Sequence, residues 1–185
     1  MKKIVQYLVI FIVICSFASC KEEEKDNHEE RWMITNIEAI NKIRANPEYK
    51  GLQSPGNEGS IYYKALKSGE GTDTIRYTSI VSCYYKGWFV ADYEHRNIKA
   101  GDLFEQKLID DGPPGYFTFN DVSSISGYKT ALQHMVKGDK WEIWMPYQLA
   151  YGRTGTTNME GKTVVPPYST LVFEIEVVDV FKVDD

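Results

Sequence analysis

An α+β fold is predicted, an antiparallel sheet wrapped around one short helix with an amphipathic helix ahead of it, and two kinds of periodicity predict it. Apolar residues recur at threes and fours in two places: at Met33, Ile37, Ile40 and Ile43, and again at Ile125, Tyr128, Ala131, Leu132 and Met135. Elsewhere the apolar residues sit in short runs rich in Tyr, Ile and Val, divided by glycine and proline, which is the pattern of strands. A chain of 185 residues that is 43% hydrophobic and 25% charged can bury one good core but hardly two. One domain with appendages is therefore expected.

The first appendage reads as a removable address. Lys2 and Lys3 precede an apolar run from Ile4 to Phe17, followed by the small residues Ala18 and Ser19 and then Cys20. The run is shorter than the ~20 apolar residues that span a bilayer. This stretch resembles a bacterial lipobox, and an ordinary secretory cut is the other reading. The resemblance implies a signal peptide over residues 1–19, acylation at Cys20, and a lipid anchor to a membrane of the cell envelope, here expected to be the outer one. From Lys21 to Asp26 no residue is apolar, so the segment is expected to be a solvated tether. Lysine followed by acidic residues after the lipid cysteine also resembles the export signal of surface-exposed lipoproteins. Removing Lys2 and Lys3 would take the formal charge from -5 to -7, so nucleic acid is not an expected partner.

Between Arg31 and Asn46 the first helical period predicts one amphipathic helix, stopped by Asn46-Pro47. Its apolar face must find cover, either on its own domain or against a second copy or a client. Gly51 to Gly59, with Pro55, Gly56 and Asn57, reads as a linker. Residues 20–58 then form tether, helix and linker, and residues 59–185 the domain. Strands are expected over Ile61 to Leu66, Ser79 to Phe89, Leu103 to Gln106 and Tyr116 to Asn120. The second helical period follows, then strands through Trp141, Ile143 and Met145 and through Leu171, Phe173, Ile175 and Val177. Gly69-Glu70-Gly71 lacks the further glycine and lysine of a phosphate loop and is a turn.

Little in this order supplies reactive groups. Cys15 leaves with the signal and Cys20 takes the lipid, so Cys83 stands alone. It alternates with Val81 and Tyr85 on the inward face of a strand, where a cysteine serves as a small hydrophobe. His28, His95 and His134 lack metal-ligand spacing, so neither a metal nor a cofactor is expected. What remains is an excess of aromatics, 14% of the chain.

Several of these aromatics fall in ordered phrases. Leu149-Ala150-Tyr151-Gly152 and the later run from Val164-Val165-Pro166-Pro167 through Leu171-Val172-Phe173-Glu174 closely resemble the C-terminal signature of FKBP-type peptidyl-prolyl isomerases. Tyr84-Tyr85-Lys86-Gly87, Asp102-Leu103-Phe104-Glu105, Phe117-Thr118-Phe119 and the stretch from Gly127 to Gly138 follow the family's order. The resemblance covers about Gly59 to Val183. It implies a half-barrel sheet around the helix, with a pocket for a proline ring between them. Carried over position by position, the residues are Tyr85, Phe104, Glu105, Phe117, Ile125, Tyr128, Tyr151, Val165 and Phe173. The Ile125 backbone N–H and the Tyr151 hydroxyl would meet carbonyl oxygens of the peptide, and Tyr128 would form the floor.

A pocket without acid, base or nucleophile suits the implied reaction. Rotation about a peptide bond must overcome ~18–20 kcal/mol of resonance. The twisted amide separates less charge than the planar one, so stripping water from its carbonyl penalises the planar form more. Two departures from the family stand out: Glu105 replaces the usual aspartate and Tyr128 the common tryptophan. Their presence keeps a second function in view, a peptide-binding module or holdase without useful turnover. For either function the expected partner is a proline-containing polypeptide. The connections from Lys86 to Leu103 and from Arg153 to Thr163 are longer than in minimal members and are expected to border the pocket.

Overall fold

The computed structural model describes residues 27–118 and 125–182. The expected signal peptide, Cys20, the tether and the end of the Tyr116 to Asn120 strand lie outside them. Helix α1 runs from His28 to Arg44, with Glu29 and Glu30 in its first turn and Lys42 and Arg44 in its last, the arrangement the helix dipole favours. It lies on its own domain, but not by the expected seam. Trp32, Asn36 and Ile40 are buried, whereas Ile37 is 37% exposed. Apolar spacing alone misses this face because Asn36, at its centre, is polar and is accommodated by hydrogen bonds.

The stretch from Gly51 to Gly59 is not a linker. Strand β1, Lys50–Gln53, pairs antiparallel with β2, Ser60–Lys67, with Lys50 opposite Tyr63 and Gln53 opposite Ser60. The turn between them is closed by Ser54 N–H donating to Gly59 O at 2.9 Å and Glu58 N–H to Ser54 Oγ at 3.1 Å. The signal was hidden because this is an exposed edge strand in which only Leu52 is partly covered.

The remaining strands are β3, Ile80–Phe89; β4, Leu103–Lys107; β5, Gly115–Thr118; β6, Lys140–Met145; and β9, Leu171–Phe181. The sheet runs β1-β2-β6-β9-β3-β4, every pair antiparallel. Strand β5 pairs with β3 over Ile80–Cys83, on the edge that β4 occupies over Tyr85–Trp88. A separate ribbon joins β7, Thr156–Thr157, to β8, Thr163–Val165. Among the described residues no helix is long and apolar enough to cross a membrane.

Alternation gives the sheet two unlike faces, although Val172 at the start of β9 is buried from the outer side as well. On β9, Leu171, Phe173, Ile175 and Val177 point inward and are buried, as are Trp141, Ile143 and Met145 on β6. Each such side chain contributes roughly 1.5–3 kcal/mol by leaving water. Glu174 and Glu176 point outward, into a ladder with Lys86, Lys140 and Lys67. Helix α2, Ser126–Leu132, has only seven residues, too few to persist alone, and packs on the inner face. Gly127 permits the approach, since a Cβ there would stand 2.8 Å from Met145 Sδ.

Candidate active site

Where α2 faces β3, β4, β5 and β9, six aromatic rings form a continuous chain. Phe89 meets Phe104 at 5.2 Å between ring centres, and Phe104 meets Phe173 edge-on at 5.5 Å. Phe173 meets Tyr128 at 5.5 Å, Tyr128 meets Phe117 at 5.3 Å, and Phe117 meets Tyr85 at 5.2 Å. Tyr128 also stands edge-on to Tyr85 at 6.4 Å. It is the hub of the set, touching Phe173, Phe117 and Tyr85. Three of these six contacts are near-perpendicular, the geometry in which ring edges meet ring faces favourably.

One position in the middle of this chain is empty of side chain by necessity. A Cβ on Gly87 would lie 2.7 Å from both Phe104 Cζ and Phe173 Cε1. Real side chains do not approach so closely, so only glycine lets the two rings close over β3. Gly87 and Phe89 were not among the expected pocket residues. Their signal was the Tyr85-Lys86-Gly87 phrase itself and the inward parity they share with Tyr85.

The polar groups gather at one side of the rings. Glu105 Oε1 accepts a hydrogen bond from the Tyr85 hydroxyl at 3.1 Å, so the longer carboxylate does find a partner. Burial first, and then the Glu105 charge, raise the Tyr85 phenol well above its ordinary value. The same two causes push the Tyr151 phenol up to about 12. Tyr151 therefore keeps its proton and remains a donor at any ordinary pH. Val165 is fully buried, and Ile125 caps the start of α2, its carbonyl accepting from Tyr128 N–H at 3.1 Å.

Tyr128 departs from expectation. A buried hydroxyl normally finds a partner, but Tyr128 Oη is buried with none among the described residues. Leaving it so costs about 1–3 kcal/mol. Cys83, by contrast, is wholly buried and its thiol pKa is driven upward by desolvation, which suits an inert core residue. Two of the histidines, far apart in sequence, meet in space, the His28 and His95 rings stacking at 4.9 Å. His134 Nδ1 lies 2.9 Å from Thr130 O. Among the described residues, no group of three or more His, Cys, Asp or Glu side chains is arranged to hold a metal ion.

Residues 71–178 match the family of FKBP-type peptidyl-prolyl cis-trans isomerases, more than half of the chain. The chain belongs to that family. Among its FKBP-type relatives, the 22 kDa peptidyl-prolyl cis-trans isomerase of Escherichia coli (strain K12) is 30% identical over 151 residues, 82% of this chain and 64% of that protein. A peptidyl-prolyl cis-trans isomerase from Pseudomonas syringae superposes with a TM-score of 0.63 at 27% identity, covering 83% of this chain and 96% of its own. FkpA from Escherichia coli shares the fold, with a TM-score of 0.62 at 24% identity over 98% of this chain and 73% of its own. The chain thus spans less than two thirds of the length of the first curated relatives it matches, from 38% to 64%.

The two long connections expected to border the FKBP pocket meet each other. Arg96 Nη1 donates to Thr163 Oγ1 at 3.0 Å, linking the segment after β3 to the ribbon that carries Val165. The former is anchored by Tyr93, which is 4% exposed and stacks on Trp32 of α1 at 4.8 Å.

Proposed function

We propose that this chain is a peptidyl-prolyl cis-trans isomerase that acts on X-Pro bonds of exported polypeptides. The observation that carries the reading is the ring chain around Tyr128, with Tyr151 and the Tyr85–Glu105 pair beside it, in a member of the FKBP family. The rings take the proline and exclude water from the amide, which raises the energy of the planar form relative to the twisted one. The Tyr151 hydroxyl donates to a peptide carbonyl and favours the geometry reached midway, the differential binding that catalysis needs. Glu105 fixes the Tyr85 ring through its hydroxyl. No proton is transferred, so the rate should not follow the titration of any histidine.

The site of action follows from the N-terminus. Cys20 is taken as the acylated residue that ties the protein to the envelope membrane, on the strength of the lysine pair, the short apolar run and Ala18-Ser19-Cys20. A homodimer through α1 would have to use Ile34 and Ile37, which are exposed, because Trp32, Asn36 and Ile40 are already covered.

The test is catalysed exchange of a proline peptide by the full chain in detergent, with mass spectrometry of the mature N-terminus. Turnover above background supports the isomerase. Binding without turnover would leave a holdase on the same fold, a reading that the unpartnered Tyr128 hydroxyl and Glu105 keep alive. An unlipidated N-terminus at another residue would remove the anchor.

A further inference from the structure

Helix α1 precedes the residues that match the family, yet its buried face is bonded to the segment that joins two pocket walls. Val165 ends β8, Phe173 lies on β9, and residues 166–170 connect them. Trp32 Nε1 donates to Pro167 O at 2.8 Å, across 135 positions of sequence. Asn36, fully buried, accepts from Thr170 N–H through Oδ1 at 2.7 Å and donates from Nδ2 to Trp32 O at 2.9 Å. Its carbonyl accepts from Thr170 Oγ1 at 2.9 Å. Both ends of the connection are thus gripped by two residues one helical turn apart.

The connection needs that grip. Tyr168, between the two attachment points, sits at φ +60°, a left-handed conformation that a residue with a side chain adopts at a cost. Such a conformation persists only where its surroundings over-determine it. Tyr168 N–H donates to Gly152 O at 3.0 Å, next to Tyr151, and Gly155 N–H donates to Tyr151 O at 3.1 Å. Gly155 itself is pressed on Val165, since a Cβ there would lie 2.2 Å from Val165 O. A path of hydrogen bonds, close contact and short stretches of backbone therefore runs from Asn36 through Thr170, Tyr168 and Gly152 to Tyr151 and Val165.

We propose that Trp32 and Asn36 are positioning residues of the isomerase site, holding Tyr151 and Val165 in register with the strand-borne rings. The proposal rests on the isomerase reading above. It assigns α1 a part in the active site that its own family match does not cover.

The test uses the full chain in detergent. Asn36→Ala should lower kcat/KM about fivefold to twentyfold at a temperature where circular dichroism shows the protein fully folded, with Trp32→Phe about twofold to fivefold, since its ring still stacks on Tyr93. Ile37→Ser, on the exposed face of the same helix, should leave kcat/KM unchanged. In NMR spectra, Asn36→Ala should move the Val165 methyl and Tyr151 ring signals and leave those of Phe117 in place. Asn36→Asp should regain activity as pH falls and its buried carboxyl, once protonated, again donates to Trp32 O, while the parent's profile stays flat. A lowered melting temperature with kcat/KM and the Val165 and Tyr151 signals unmoved would overturn the proposal. If the parent proves to have no turnover, the isomerase reading fails. The NMR signals and the affinity for a proline peptide then still decide whether α1 positions the site.

Discussion

The two halves of the candidate site are held in different ways. Tyr85, Phe104, Phe117 and Phe173 stand on neighbouring strands, with Tyr128 on the helix they cover, and their mutual contacts suffice to place them. Tyr151 and Val165 lie outside the main sheet, on a segment with a strained tyrosine, and their placement depends on bonds to a helix 130 or so positions away. The strand-borne half is a product of core packing. The loop-borne half rests on those bonds, so substitutions there are expected to change affinity and rate without unfolding the protein.

This contrast can be broken from either side. Phe173→Ala removes a ring that is 1% exposed, so about 3–5 kcal/mol of stability should go with it, read from chemical denaturation, together with most of the turnover. Gly87→Ala should cost about 1–3 kcal/mol, because the methyl must displace Phe104 or Phe173. Its effect on turnover should exceed that of any surface substitution. Tyr128→Phe should run the other way in stability, gaining up to about 1–3 kcal/mol by removing the unpartnered hydroxyl, and melting temperature reads the sign. Tyr151→Phe, in the loop-borne half, should leave stability almost unchanged and lower kcat/KM roughly threefold to tenfold, the worth of one net hydrogen bond. If Tyr151→Phe destabilised the fold as much as Phe173→Ala, the distinction between the halves would be lost.

A pH series sharpens the same contrast. Folding raises the phenol pKa of Tyr49 and Tyr151 to about 12, and burial raises those of Tyr85 and Tyr128 as well. A raised value in the folded state means stability that is complete below the ordinary phenol value near 10 and lost as pH climbs toward the folded value. Unfolding midpoints should therefore hold through neutral pH and fall above about pH 10. Turnover, with no proton in flight, should be level between about pH 6 and 9.

The sequence was a good guide where parity and spacing carry the information. Trp141, Ile143 and Met145, and the inward residues of β9, alternate cleanly, and all are buried. The candidate site residues on strands, Tyr85, Phe104, Phe117 and Phe173, came from the family phrases, as did Tyr151 and Val165, and parity alone did not single them out. Strand β1 was not legible, because an exposed edge of four residues needs no apolar alternation. Nor was the buried face of α1, where Asn36 occupies an apolar position by satisfying its bonds across the chain. Long-range hydrogen bonds leave no periodic trace. The orphaned Tyr128 hydroxyl was equally invisible, since no rule of composition leaves a donor unpaired.

The docking of α1 also sets how far the pocket can wander. The helix begins at His28, whose ring rests on His95 in the connection that leads to Phe104. Only seven residue steps separate Asn27 from Cys20. Fully stretched, they span at most about 25 Å. With the lipid at Cys20 as proposed, the start of α1 is leashed within that distance of the bilayer surface. Its reach is then a thin layer along that bilayer.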